Sequence, residues 1–427
     1  SILTPNSRTR VTQDVTINDG QTLDVYALMI QGDRRVLTGL ATGTSTLQVR
    51  SGGIMFRANT NTNNPAITAN RIVAGDGTNP IDLYLWGRDG TRSFDLGLLA
   101  SPNTTGQLTN VRNLIFNGAN NLELVASQQT FSGNIILNAG NVVLRTSATS
   151  GTVSPAGTGK IVVNALNAIV HYRPAGGVTF NGSLVVGQNN PRIQVNSERD
   201  GSSGSDVNFF LAGGIQFLGA TGEQGQTIQF RNGGNKFQPN YNGALNLGPA
   251  GNNAYLSVWN DSDRHIVTFN GLVTADGDKS ARLIKTGDGD LRLSNISSLN
   301  DWSGGLVVAG GNNTLVRGIT TNNLVGLNQL TGGGLGNGDV TLFRGQLQLR
   351  YDGVGASYDR LALGQGAGSV GLVLNGSANV EIAQNSGTST NKLLSFRDLT
   401  IGNYELTVSG ANGYALDIFG KTILRGN

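Results

Sequence analysis

The sequence predicts an all-β chain wound as a β-solenoid, and three observations lead there. Short apolar runs alternate with polar residues at the two-residue period of a strand with one buried face. Between the runs stand Gly, Asn, Asp and Ser, which accept the left-handed conformations of tight turns and supply local side-chain hydrogen bonds. The pattern then returns along the whole chain. Strands this short bury little within one coil, so their inward Leu, Val and Ile must be covered by the coils above and below.

The pattern is cleanest over residues 282–350. Leu283, Lys285, Gly287, Gly289, Leu291 and Leu293 lead across a polar gap to Trp302-Ser303-Gly304-Gly305-Leu306-Val307-Val308. Leu335-Gly336-Asn337-Gly338-Asp339 then runs into Val340 and Leu342, crosses Gly345 and resumes at Leu347 and Leu349.

Earlier elements follow the same rule. Val15-Thr16-Ile17-Asn18-Asp19-Gly20 is a strand closed by an Asp-Gly turn. Strands are expected at 23–30, 47–49, 54–56, 72–74 and 83–86, at about one coil per 20 to 25 residues. Leu114-Ile115-Phe116, Leu122-Glu123-Leu124, Ile135-Ile136-Leu137 and Val142-Val143-Leu144 continue the series. A Phe, then Ser or Asn, then Gly precedes a strand at Phe131-Ser132-Gly133, Phe180-Asn181-Gly182 and Phe269-Asn270-Gly271, which marks a repeated corner. Residues 196–206, polar throughout, and 232–253, rich in Gly and Asn, read as loop insertions on one continuous body spanning 1–427. The expected core is Leu114, Phe116, Ile135, Leu137, Val142, Leu144, Leu184, Val186, Leu291, Leu293, Leu306, Val308, Val340, Leu342, Leu347, Leu349, Val408 and Leu416. Coils stacked at strand spacing would form a single elongated rod on the order of 80 to 100 Å long.

Leu283-x-Lys285-x-Gly287-x-Gly289-x-Leu291-x-Leu293-Ser294, followed by Ser303-Gly304-Gly305-Leu306-Val307-Val308, resembles the autotransporter-associated β-strand repeat of bacterial autotransporter passenger domains. The segment from Leu335-Gly336 to Leu347-x-Leu349 resembles its continuation, and Leu406-x-Val408, Gly413-Tyr414-x-Leu416 and Leu424-x-Gly426-Asn427 echo it. The resemblance covers about the last third of the chain. It departs from the family at Asn295-Ile296-Ser297, where Gly and Asn are usual, and no outer-membrane barrel follows. It implies a right-handed parallel β-helix that is extracellular or at a bacterial cell surface, in a mature form without its signal peptide. No single activity is implied.

Composition excludes several classes. With 63 Gly, 9 Pro and 13% charged residues in 427, the chain is too apolar for disorder, and its glycines lack the triplet of collagen. Cysteine is absent, which a reduced cytosol and a disulfide-free secreted fold both permit. No apolar run approaches the roughly 18 residues of a membrane span. Net charge is +3, but the basic residues are scattered and form no stripe for nucleic acid.

Chemistry is sparse. His171 and His265 lie far apart on strand edges and are read as surface residues, with no serine set beside them as in a nucleophilic triad. Asp276-Gly277-Asp278 and Asp288-Gly289-Asp290 place carboxylates two residues apart, a spacing that suits calcium. Such sites work in tandem arrays, which these do not form, so ordinary turns are preferred. No catalytic, cofactor or metal residue is therefore assigned.

The expected function is an extracellular structural or adhesive surface protein, not an enzyme. Its partners are copies of itself, stacked end to end into a filament or surface layer because the chain stops in mid-repeat at Ile423-Leu424-Arg425-Gly426-Asn427. A glycan or host ligand would be reached through the loops. The alternative is a β-helix polysaccharide lyase or glycoside hydrolase, whose residues would be Asp261, Asp263 and Arg264 with Trp259 and Trp302 as sugar platforms.

Overall fold

A computed structural model shows an all-β chain built of parallel ladders, the architecture of a β-solenoid. The structure describes residues 7–31, 35–38, 43–57, 66–88, 94–96, 107–125, 130–188, 192–198, 207–219, 225–232, 237–260, 265–294, 300–309, 320–323, 337–351, 359–363, 370–384 and 389–426. The chain divides into two compact units, Ser1–Gly213 and Gly214–Asn427.

In the first unit each coil visits three ladders in turn. One ladder runs through Thr22–Gln31, Thr46–Arg57, Arg71–Ala74 and Gln107–Thr109. The second pairs Arg8–Val11 with the far half of Thr22–Gln31 and continues through the far half of Thr46–Arg57, Ile81–Arg88, Val111–Leu124, Asn134–Thr146, Lys160–Val163 and Ser183–Val186. A third joins the later halves of the strands Val111–Leu124 and Asn134–Thr146 to Ile169–Pro174 and Arg192–Ser197. Every pair is parallel and sets inward positions over inward ones, so Leu114 faces Ile135 and Ile135 faces Ile161. The inward positions thereby become continuous apolar columns.

The second unit repeats the plan. Gln226–Asn232, Asn253–Val258, Arg282–Thr286, Leu306–Val308, Val340–Leu342, Leu372–Leu374, Leu399–Ile401 and Thr422–Leu424 form one ladder. Phe237–Tyr241, Ile266–Phe269, Asp290–Leu293, Thr320–Asn323, Gln346–Arg350, Ala378–Ala383 and Leu406–Gly410 form another.

Sixteen of the eighteen expected core residues are buried, and the exceptions are Val408 and Leu416. Both keep the inward register, opposite Val380 and Leu394, but they lie on the last described coil and have a neighbour on one side only. Within 232–253, residues 237–253 follow the coil path, because Phe237–Tyr241 and Leu245–Asn246 pair in the ladders. Asn232, Pro239, Asn240, Asn246 and Asn253 lie in strands, Gly243, Gly248, Pro249 and Gly251 lie between them, and 233–236 are outside the described residues. In 196–206, Asn196 and Ser197 end the strand Arg192–Ser197, and 199–206 lie outside the described residues. Coil length varies more widely than expected: register partners such as Arg8 and Ala27 lie 19 residues apart, and Arg71 and Gln107 lie 36 apart.

The Phe-x-Gly corners have a steric cause. Phe131, Phe180 and Phe269 turn into the core, and the glycine after each comes close to the backbone of the coil beside it. A Cβ on Gly271 would stand 2.0 Å from the carbonyl oxygen of Gly243, so a side chain would force the coils apart.

The inward and outward assignment is testable at adjacent positions. Leu342 is buried in its column between Val308 and Leu374, whereas Thr341 faces outward. Leu342→Asp should cost about 3 kcal/mol or more in chemical denaturation, by placing an unpaired charge among aliphatic groups. Thr341→Asp should change stability by about 0.5 kcal/mol or less, and equal losses would contradict the assignment.

Candidate functional site

The most unusual chemistry lies in the second unit, where a lysine stands in an aliphatic column. Lys285 is two positions after Leu283 on Arg282–Thr286 and so shares its inward face. Its register neighbours are Leu256 and Val308, both fully buried. The aliphatic stem continues the apolar column, and the ammonium must find its partners at the corner. It donates to the carbonyl oxygens of Thr286, at 2.7 Å, and Gly287, at 3.0 Å. Burial pushes Lys285 down to about 7, and Asp290 and Asp288 oppose part of that shift.

The same corner holds His265, Asp288, Asp290 and Asn260. Asn260 donates from its amide nitrogen to Asp288 Oδ1 at 3.0 Å and from its side chain to the Asp288 carbonyl at 2.8 Å. The His265 amide donates to Asn260 Oδ1, and His265 Nδ1 lies 3.2 Å from the Trp259 carbonyl oxygen. Asp290 is buried at the start of its strand, its amide bonded to the His265 carbonyl. These groups close one corner across two coils. His265 is therefore wholly buried, contrary to its reading as a surface residue, because the coil turns inward there.

The other histidine lies in the first unit within an outward polar cluster. His171 Nε2 is 2.9 Å from Glu198 Oε2, Arg173 lies 3.9 Å from the same oxygen, and Arg145 pairs with Glu123 at 3.3 Å. Burial, aided by Arg173, holds His171 at about 4, so the ring is neutral at pH 7. Glu123 registers with Val143, Val143 with His171 and His171 with Asn196, which sets the Glu123 and Glu198 strands three rungs apart, about 14 Å.

The remaining sequence candidates separate. Asp261, Asp263 and Arg264 lie outside the described residues. Trp259 is exposed and donates its indole N–H to Ser257 Oγ at 2.8 Å. Trp302 is fully buried, so it is a core residue and not a sugar platform. Asp276 accepts from Asn246, and Asp278 accepts from the amide and hydroxyl of Ser280. Among the described residues, no group of three or more His, Cys, Asp or Glu is placed to hold a metal ion. None of their helices is long and apolar enough to cross a membrane.

Elsewhere polar side chains reach from coil to coil. Asp19 accepts the amide of Thr44, Asp339 that of Gly371 and Asp398 that of Lys421. Asn134 accepts the amide of Lys160, Asn141 that of Ile169 and Asn300 that of Val273. The amides of the neighbouring coil hold Asp19 and Asp398 below the usual carboxylate range. Lys285 is not among the expected core residues, and the meeting of Asn260, His265 and Asp288 needs the coil path. No family model, no curated protein and no solved structure matches this chain.

The Lys285 corner predicts a pH dependence. Below pH 7 folded and unfolded chains both hold the proton and the full burial cost is present; above it the folded chain releases the proton while the unfolded chain keeps it to 10.5. Stability from this group should therefore rise between pH 7 and 10, by up to about 1.4 kcal/mol per pH unit. Urea denaturation of the wild type and Lys285→Met should show the wild type gaining on the variant over that range. A constant difference would contradict the assignment.

Proposed function

We propose that this chain is an extracellular structural or adhesive protein of a bacterial surface, without catalytic activity, that assembles by continuing its ladders into further copies. The observation that carries the reading is the parallel ladder, in which each strand covers the equivalent strand of the next coil. Val408, Ile423 and Leu424 are 44%, 43% and 77% exposed, so apolar surface is available for contact with a further copy.

The polar groups support the same reading. Asp19, Asp339, Asp398, Asn134 and Asn141 join coil to coil through the amides they accept, and Lys285 closes its own turn. Their chemistry is architectural. The resemblance to autotransporter passenger repeats supplies the compartment.

Light scattering and electron microscopy of the chain in native salt should show particles longer than one chain, and Val408→Asp with Leu424→Asp should reduce them to monomers. A wild type that remains monomeric at high concentration would overturn assembly. A reducing-sugar assay with acidic and neutral polysaccharides should show no turnover; turnover lost on Asp261→Asn or Asp263→Asn would establish the enzyme instead.

A further inference from the structure

One outward face of the first unit differs from the rest in chemistry. Arg10 registers with Met29, Met29 with Met55 and Met55 with Trp86, so these side chains stack along one outward column. Beside it Arg8 registers with Ala27, Ala27 with Gly53 and Gly53 with Tyr84. Arg57 stands on the other flank, and Arg88 takes the next register position. Met55 and Trp86 are 39% and 38% exposed, and Arg8, Arg10 and Arg57 are exposed.

Glycine shapes this surface. A Cβ on Gly53 would meet Trp86 Cζ3 at 3.4 Å, so the absent side chain leaves room for the indole against the neighbouring coil. The Tyr84 and Trp86 rings are nearly parallel, 14° apart with centroids at 5.5 Å. Charge on the face is mainly positive. Its strands Arg8–Val11, Thr22–Gln31 from Ala27 onward, Thr46–Arg57 from Gly53 onward and Ile81–Arg88 contain one carboxylate, Asp82, against the exposed Arg8, Arg10 and Arg57. Asp82 is already bound by Arg112, at 2.8 Å, and by Asn113, at 2.9 Å.

We propose that this face binds a linear anionic polysaccharide, with carboxylate or sulfate groups on Arg8, Arg10 and Arg57 and sugar rings against Trp86 and Tyr84. Guanidinium groups match the planar geometry of carboxylate and bind sulfate oxygens by charge-assisted hydrogen bonds. The C–H face of a pyranose is apolar and flat, which suits an aromatic ring whose other side is already packed. From the Arg10 rung to the Trp86 rung is three strand spacings, about 14 Å along the column, so the ligand must be extended. An acidic peptide added as a strand would need a free sheet edge, and the strands that carry Arg57, Tyr84 and Trp86 are each paired on both sides, so such a strand could reach Arg8 and Arg10 alone. The inference deepens the adhesive half of the function proposed above and rests on it, while moving the ligand from the loops to a sheet face.

Calorimetric titration of the intact chain with a heparin octasaccharide and a polygalacturonate oligomer tests the site, with a dextran oligomer as the uncharged control. At least one polyanion should bind saturably and dextran should not. Trp86→Ala and the double variant Arg10→Ser with Arg57→Ser should each weaken binding about tenfold or more. Raising salt from about 0.1 to 1 M should weaken it further, as the Debye length falls from roughly 10 to 3 Å. Failure of both polyanions to bind, equal binding of dextran, or unchanged affinity in both variants would overturn the proposal, as would binding to phosphatidylglycerol vesicles with none to polyanion. All three substituted side chains are exposed, and circular dichroism checks that the variants fold. Light scattering on the same variants reads assembly independently, so loss of polyanion binding with assembly intact strikes this site alone.

Discussion

Register between successive coils is the constraint on which everything else depends. A parallel pair fixes which residue lies over which, and a slip of one position would turn every inward side chain outward. Leu114, Ile135, Ile161 and Leu184 follow one another in this way, each covering the last. The same register brings like outward residues together, so the exterior is organised in columns as strictly as the interior.

Polar side chains defend that register where the ladders turn. Asp19, Asp339 and Asp398 each accept an amide from a neighbouring coil, and Asn134 and Asn141 do the same. These bonds satisfy backbone donors at the corners, where the regular ladder is interrupted. At Phe131, Phe180 and Phe269 the corner combines a buried ring with a glycine, so that ring packing and close backbone approach are solved together. The rings also meet one another: Tyr241 and Phe269 stack at 4.9 Å in the second unit.

Lys285 shows how strong the columns are. A charge-bearing residue occupies a place that Leu256 and Val308 fill in the adjoining coils, and the fold accommodates it by directing the ammonium onto two turn carbonyls. Burial destabilises this cation toward its uncharged form, and Asp290 and Asp288 offset only part of that cost, which the lowered proton affinity expresses. On the outside the same column logic gathers Arg10, Met55 and Trp86, residues far apart in sequence, into one continuous strip.

The sequence by itself determined the fold class and most of the core, because two-residue alternation and glycine-rich corners are local signals. Leu342, Leu347 and Leu349 could be placed inside from their neighbours alone, whereas Lys285, a cation by type, is not an expected core residue although it keeps the same alternation. Tertiary structure decided what depends on which coil lies beside which. Residues 232–253 read as an insertion by composition, yet Phe237–Tyr241 and Leu245–Asn246 find partners there and become part of the ladders. His265 and Trp302 carry no local mark of burial and are enclosed by the path of the corners. Val408 and Leu416 have the correct alternation but a neighbour on one side only, so their exposure is a property of the stack and not of the strand. Tyr84 and Trp86 gain a neighbour in Gly53 only through coil pairing, which no window of sequence spans, because register is set by backbone hydrogen bonds between segments separated by a whole coil.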